Sequence, residues 1–322
     1  MSSSLPEENE VLEYFSSLSN WGRWGVDDEV GTLNLVTDAK RAQAARLVRL
    51  GRVVSCAWDI ETGHRPDDVG APPQRYMLGT GQGLGDPARV PPPGAVPGDR
   101  QAGATEFLGM AYHGYRITHL DALSHISWDA RMYNDRPAEL VTVAHGATVL
   151  DVRRARTGIV TRGILLDAAG HRGIPWLEPD EFVTPAEVGA MLASRDLRAE
   201  AGDALLLRTG YGRKLLERGP DALGAGHAGW HASCLPWLHR NGIALIAADH
   251  SVDAVPSGYP HLRTPVHAIG ISTIGIWLMD CCDLEPLAVA CEELGTWEFQ
   301  FVVAPLPFTG ATGSPVNPLA LF

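Results

Sequence analysis

Cysteine is scarce and odd in number: five residues, Cys56, Cys234, Cys281, Cys282 and Cys291, none of them in a Cys-x-x-Cys pair. Such usage points to reduced, mostly buried thiols rather than a disulfide framework. Long apolar runs are missing as well. The stretch from Ile269 to Met279 falls short of the ~20 residues that a membrane-spanning helix needs. No basic block occurs: 26 Lys and Arg against 38 Asp and Glu leave a net charge of −12 spread along the chain. That balance argues against nucleic acid and anionic membrane as partners. Residues 1–10 are Ser-rich and acidic, without the basic flank and apolar core of a secretory signal, so a cytoplasmic location is expected. The glycine run over 79–85 follows no clear strand and lacks the Lys-Ser/Thr of a phosphate loop. There is no Gly-x-Ser-x-Gly elbow either, which removes support for serine hydrolase chemistry.

What remains is the composition of an ordinary globule, 322 residues with 45% hydrophobic and 20% charged. Residues 1–36 read as an N-terminal arm in which Leu12, Phe15 and Leu18 recur at helical spacing. Residues 37–322 read as one mixed α/β domain. Helices are predicted over 37–50, with Gly51 as terminator, over 185–193, with Thr184 as N-cap and Pro185 in the first turn, and over 233–240 and 285–294. Extended segments are predicted over 52–60, 148–152, 163–167, 203–208, 243–248 and 297–304. Asp249-His250-Ser251-Val252-Asp253 stands at the end of one of them, where α/β proteins collect their chemistry. Residues 62–105 are rich in Gly and Pro with little periodicity; a loop of that length suggests an active-site entrance or a subunit contact. Trp21 and Trp24, set between glycines, are candidates to wall an apolar substrate pocket, with core packing as the alternative.

The densest chemistry lies in Tyr115-Arg116-Ile117-Thr118-His119-Leu120-Asp121-Ala122-Leu123-Ser124-His125. If the chain is extended through Asp121, His119 and Asp121 share a face and can hold one cation between them. If a helix then begins near Asp121, His125 lies one turn on. Neutral imidazole and carboxylate suit zinc or manganese, and a histidine outside the ligand set can shuttle a proton. His267 and Asp280 lie at the two ends of a later apolar run and can join the same set. A cation so held would lower the pKa of its water from ~15.7 toward ~7.

These residues resemble the signature of the metal-dependent cyclase family, which includes bacterial arylformamidases (kynurenine formamidases), isatin hydrolases and dienelactone hydrolases. Thr118-His119-Leu120-Asp121 with His125 four residues on carries the likeness. Further similarity runs through the apolar strand ending in Arg208-Thr209-Gly210, through Pro265-Val266-His267, through the segment reaching Asp280, and through a closing Gly313-Ser314-Pro315-Val316 turn. The resemblance implies an α/β fold of the swivelling β/β/α type, a single domain with a barrel-like mixed sheet, assembled as a dimer or tetramer. It implies His119, Asp121, His267 and Asp280 as metal ligands and His125 as proton donor and acceptor.

Two positions depart from the family pattern. Tyr115 stands where a histidine is common, and Asp280 where a Glu is common. His113 would lie about 20 Å from His119 along an extended chain, at ~3.3 Å per residue, and reaches the site only if the chain bends sharply at Gly114. The expectation is therefore one divalent metal ion, zinc or manganese, per subunit, with Tyr115 lining the substrate pocket. The expected activity is metal-dependent hydrolysis of a cyclic or aryl amide, imide or lactone on a small-molecule substrate. Ring closure by the same groups, or ligand binding without a metal, are the alternative readings.

Overall fold

Runs of apolar residues buried on both faces place the centre of the molecule. In the computed structural model, which describes residues 5–64, 71–86, 94, 96, 101–219, 222 and 226–322, nine segments pair into one sheet. In chain order its strands are β1 (Val53–Ser55), β2 (His119–Asp121), β3 (Ile159–Asp167), β4 (Ala204–Arg208), β5 (Leu245–Ala248), β6 (Trp277–Asp280), β7 (Glu298–Val303), β8 (Gly313–Pro315) and β9 (Leu319–Leu321). Their spatial order is β1-β9-β7-β3-β4-β5-β6-β2-β8, curled as a half-barrel. β3, β4, β5 and β6 run parallel, and every other pairing is antiparallel.

The parallel strands need cover on both faces, because their crossovers lay helices against the sheet. That is why Ala204–Arg208 and Leu245–Ala248 are buried at every position. β7 alternates half-buried and buried residues instead, Glu298, Gln300 and Val302 against Phe299, Phe301 and Val303, as an antiparallel strand with one covered face does. The result is a mixed α/β fold of the type the resemblance implied.

The helices over Asp38–Ala45, Pro185–Ser194, Leu235–Asn241 and Glu285–Leu294 match predicted segments. The first is shorter than expected: Thr37 caps it by accepting from Lys40 N at 3.2 Å, and the chain leaves the helix before Gly51. Thr184 occupies the N-cap position of the second but makes no side-chain cap bond. Residues 148–152, expected to be extended, form a bend. Leu150 takes φ 58°, a left-handed backbone no strand tolerates, and its N–H is held by Glu29 Oε2 at 2.6 Å.

Within 62–105, Gln74–Gly79 folds onto Thr105–Gly109 as a two-stranded antiparallel hairpin, where only loop was expected. Residues 65–70, 87–93, 95 and 97–100 of that segment lie outside the described residues. In the arm, Glu8–Ser17 is helical as its spacing predicted; Val11 is buried and Phe15 stacks on Trp128 with ring centroids 4.3 Å apart. Among the described residues no helix is long and apolar enough to cross a membrane.

Candidate metal centre

β2 is only three residues long, yet it lies between two strands that come from the far end of the sequence. Asp280 of β6 pairs with His119 on one side; Gly313 and Pro315 of β8 pair with Asp121 and His119 on the other. All three residues of β2 are buried. Burying His-Leu-Asp is costly unless the polar pair finds partners, and both partners are built around it.

His119 donates through Nδ1 to the Ile117 carbonyl at 2.7 Å, which leaves the Nε2 lone pair 3.5 Å from Asp121 Oδ1. His267, in the short helix Pro265–Ile269, is fixed the same way. Its Nδ1 meets Asp253 Oδ2 at 2.5 Å, so Nε2 stands 3.5 Å from Asp121 Oδ2 and 3.3 Å from Asp280 Oδ2. Asp253 is itself locked by the backbone N–H groups of Val266 and His267. A histidine whose far nitrogen is held by a carboxylate or carbonyl is the usual support of a metal ligand. Asp280 presents Oδ2 to the centre because its Oδ1 accepts from Val252 N at 2.9 Å.

Both oxygens of Asp121 are buried and accept no hydrogen bond. An ionised carboxylate in that state requires a cation. The electrostatics agree: burial would raise the Asp121 carboxyl, but His125, His113, His267 and His119 hold it well below its usual range. Burial would lower His267, but Asp280, Asp121 and Asp253 hold it well above. Both shifts describe a cluster of carboxylates that takes up positive charge. Donor atoms around one tetrahedral ion at ~2.1 Å stand ~3.4 Å apart, and the separations of 3.3–3.5 Å among His119, Asp121, His267 and Asp280 match that spacing. The mixed N and O set suits a divalent cation.

His125 reaches the centre from a turn, not from a helix: its N–H bonds the Ala122 carbonyl at 2.9 Å, and its Nε2 lies 3.9 Å from Asp121 Oδ2. Burial lowers its pKa to about 4, against the pull of Asp121, so the ring is neutral. Its side chain keeps 25% exposure, the most open of the group apart from His113.

The chain does bend before β2. His113 therefore arrives with Nδ1 3.0 Å from Asp121 Oδ1 and its ring stacked on His125, 3.9 Å away and 3° from parallel. Its Nε2 is tied to Thr312 Oγ1 at 3.0 Å. Tyr115, at the motif position, stacks on His250 at 4.9 Å. Trp21 and Trp24 are not brought to this cluster. Trp21 donates through Nε1 to the Ser272 carbonyl at 2.8 Å, and Arg23 lies 4.7 Å over the Trp24 ring.

The family model described as Cyclase matches residues 108–254. A crystal structure described as a novel cyclase superposes with a TM-score of 0.84 at 31% identity, covering 96% of this chain and 99% of its own. The chain belongs to the cyclase family. Isatin hydrolase A from Labrenzia aggregata, bound to benzyl benzoate, shares the fold at 18% identity and a TM-score of 0.58, covering 90% of this chain and 98% of its own. A protein from Bacillus stearothermophilus described as a predicted metal-dependent hydrolase shares it at 15% identity and 0.52, covering 84% and 98%. No curated protein matches the sequence.

This cyclase-family chain therefore keeps its candidate ligands on β2, β6 and one short helix, and supports them with residues that sequence reasoning left without roles. Asp253 was visible only as part of a polar cluster after β5. His113 carried one signal, the glycine that follows it.

Proposed function

We propose that the protein is a metal-dependent hydrolase that opens a cyclic or aryl amide, imide or lactone. The observation that carries this reading is Asp121, a buried carboxylate with no hydrogen bond, ringed by imidazole nitrogens at 3.0–3.9 Å. His119, Asp121, His267 and Asp280 would hold one divalent cation, zinc or manganese. When bound, such a cation supplies Lewis acidity toward a carbonyl oxygen and makes water a nucleophile at neutral pH.

The chain's own residues supply the rest. His125 is neutral and partly open, so its Nε2 takes the proton from the attacking water and delivers it to the leaving nitrogen or oxygen. His113 lies flat against it and limits its rotation. Asp253 keeps His267 in the tautomer whose Nε2 faces the centre. The likeness in fold to isatin hydrolase, named for a cyclic amide, is consistent with this substrate class. Ring closure by the same groups is the second reading, favoured by the description of the family as cyclases.

Elemental analysis of protein purified without chelator, followed by turnover assays on formanilide, isatin, phthalimide and simple lactones, tests the proposal. About one zinc or manganese per chain with turnover on at least one ring or anilide is expected. Turnover that survives complete removal of metal would overturn it, as would a metal-loaded protein inert toward the whole panel.

A further inference from the structure

Next to Asp280, where Cys281 N donates to the His250 carbonyl, a second group of aromatic side chains meets. His227 and His250 meet at a tilt of 31° with centroids 4.0 Å apart; Tyr115 stacks on His250 at 4.9 Å and lies 5.8 Å from His227, and Tyr211 meets His250 edge-on at 4.4 Å. His250 has a local partner, the Ser251 N–H, 2.8 Å from its Nδ1. His227 has none. It is 7% exposed, and both of its ring nitrogens are buried without a hydrogen-bond partner among the described residues.

Its placement does not depend on the ring. The His227 backbone exchanges two hydrogen bonds with Val255, at 2.8 and 2.9 Å, and a phenylalanine would occupy the same position with the same ladder. A buried imidazole with both nitrogens idle is unfavourable in the resting protein. It makes sense where a ligand completes it. Its neighbour His250 accepts through its carbonyl from Cys281 N at 2.8 Å, next to Asp280, which sets the group beside the centre, and burial keeps the His227 ring neutral, with one donor and one acceptor nitrogen. The basic side chains on this side are already committed, Lys214 to Glu178 at 2.8 Å and Arg208 to Asp167 and Glu285 at 2.7 Å.

We propose that His227 is a substrate-recognition residue, set on a stacked wall with His250 and Tyr115, and that it selects a neutral, planar ring with a hydrogen-bonding edge, such as a lactam, imide or anilide, over an anionic ring. Flat rings stack on this wall, and the polar edge of the ligand satisfies His227. An anionic ligand finds Asp280 and Asp253 and, among the described residues, Lys214 and Arg208 already paired. The inference rests on the hydrolase reading for its substrate class, but not for its geometry.

The test uses metal-loaded wild type, His227→Phe and His227→Gln, with calorimetric titration of phthalimide and of the anion phthalate beside turnover of phthalimide and formanilide. His227→Phe should keep its metal content and melt no lower than wild type, while its affinity for phthalimide falls about tenfold or more. His227→Gln, which keeps a donor and an acceptor, should recover part of that loss and serves in place of the Phe variant if that one fails to fold. Wild type should bind phthalimide more tightly than phthalate. Unchanged phthalimide binding in His227→Phe overturns the inference, as does a lower melting temperature with loss of metal, which would make the ring structural. Wild type that binds phthalate as well as phthalimide, or binds neither, overturns it too. His227-dependent binding without turnover would support this inference and sink the hydrolase reading; turnover with unchanged KM in the variants would do the reverse.

Discussion

Asp253 decides which nitrogen of His267 faces the other ligands. Asp253→Asn should weaken metal binding about 10- to 100-fold, the usual cost of losing such support, while saturating metal restores most of the turnover; competition against a chromophoric chelator reads this directly. His125→Ala should behave in the opposite sense. Metal stays bound, and kcat falls about 10²-fold or more because the proton carrier is gone. Loss of metal in proportion to activity would make His125 a ligand instead. Gly313 has its own constraint: a Cβ there would stand 2.5 Å from the Leu120 carbonyl oxygen and 2.8 Å from His113 Cε1. Gly313→Ala should therefore displace His113 or the β2 backbone at about 1–3 kcal/mol, seen as a lower melting temperature together with reduced turnover. His119, Asp121, His125, His267 and Asp280 were legible as candidates in the sequence because their types and spacing carry chemistry. His113 was legible only through Gly114, because its approach depends on a bend over 113–117 that a single glycine permits without requiring. Asp253 and His227 acquire their meaning only from neighbours distant in the chain.

At the scale of elements, the legible parts were those whose burial is uniform. β4, β5 and β6 read as apolar runs because both faces are covered, and the helix Glu285–Leu294 read from its spacing. β2 is a strand made of His-Leu-Asp, whose pattern alone says little, and its pairing with β6 and β8 decides it. The expected Gly-Ser-Pro turn is strand β8 for the same reason. His267, expected at the opening of a strand-like run, sits instead on a helix that passes through a π turn, Gly270–Ile274, before β6 begins. The link between β4 and the helix Tyr211–Arg218 offers a test at this scale. The buried carboxylate of Asp249 accepts from Thr209 N, Thr209 Oγ1, Gly210 N and Tyr211 N, at 2.7–3.0 Å. Asp249→Ala leaves those donors unpaired, and a loss of about 3 kcal/mol in urea unfolding is expected. A loss below 1 kcal/mol would mean that water replaces the carboxylate.

For the whole molecule, the candidate metal is also a fold constraint, because its ligands come from β2, β6 and the helix before β6. His119, Asp121, His267 and Asp280 suffice for one ion, so about one tightly held divalent ion per chain is expected by elemental analysis; two, the second held by His113, Asp121 and His125, would refute it. A ligand that binds only the folded state, present at ~100 times its Kd, adds about 2.7 kcal/mol. Chelation should thus lower the melting temperature, and zinc or manganese should restore it in calorimetry. The overall fold class was legible because alternating apolar and helical segments imply layers, whereas the order of the sheet was not, since β2 pairs with strands half a chain away. That topology bears on how the protein matures. A growing chain exposes His119 and Asp121 long before their flanking strands exist, and contacts so remote form late. An ion held there would be acquired late in folding, and in refolding experiments its uptake should track the slowest phase.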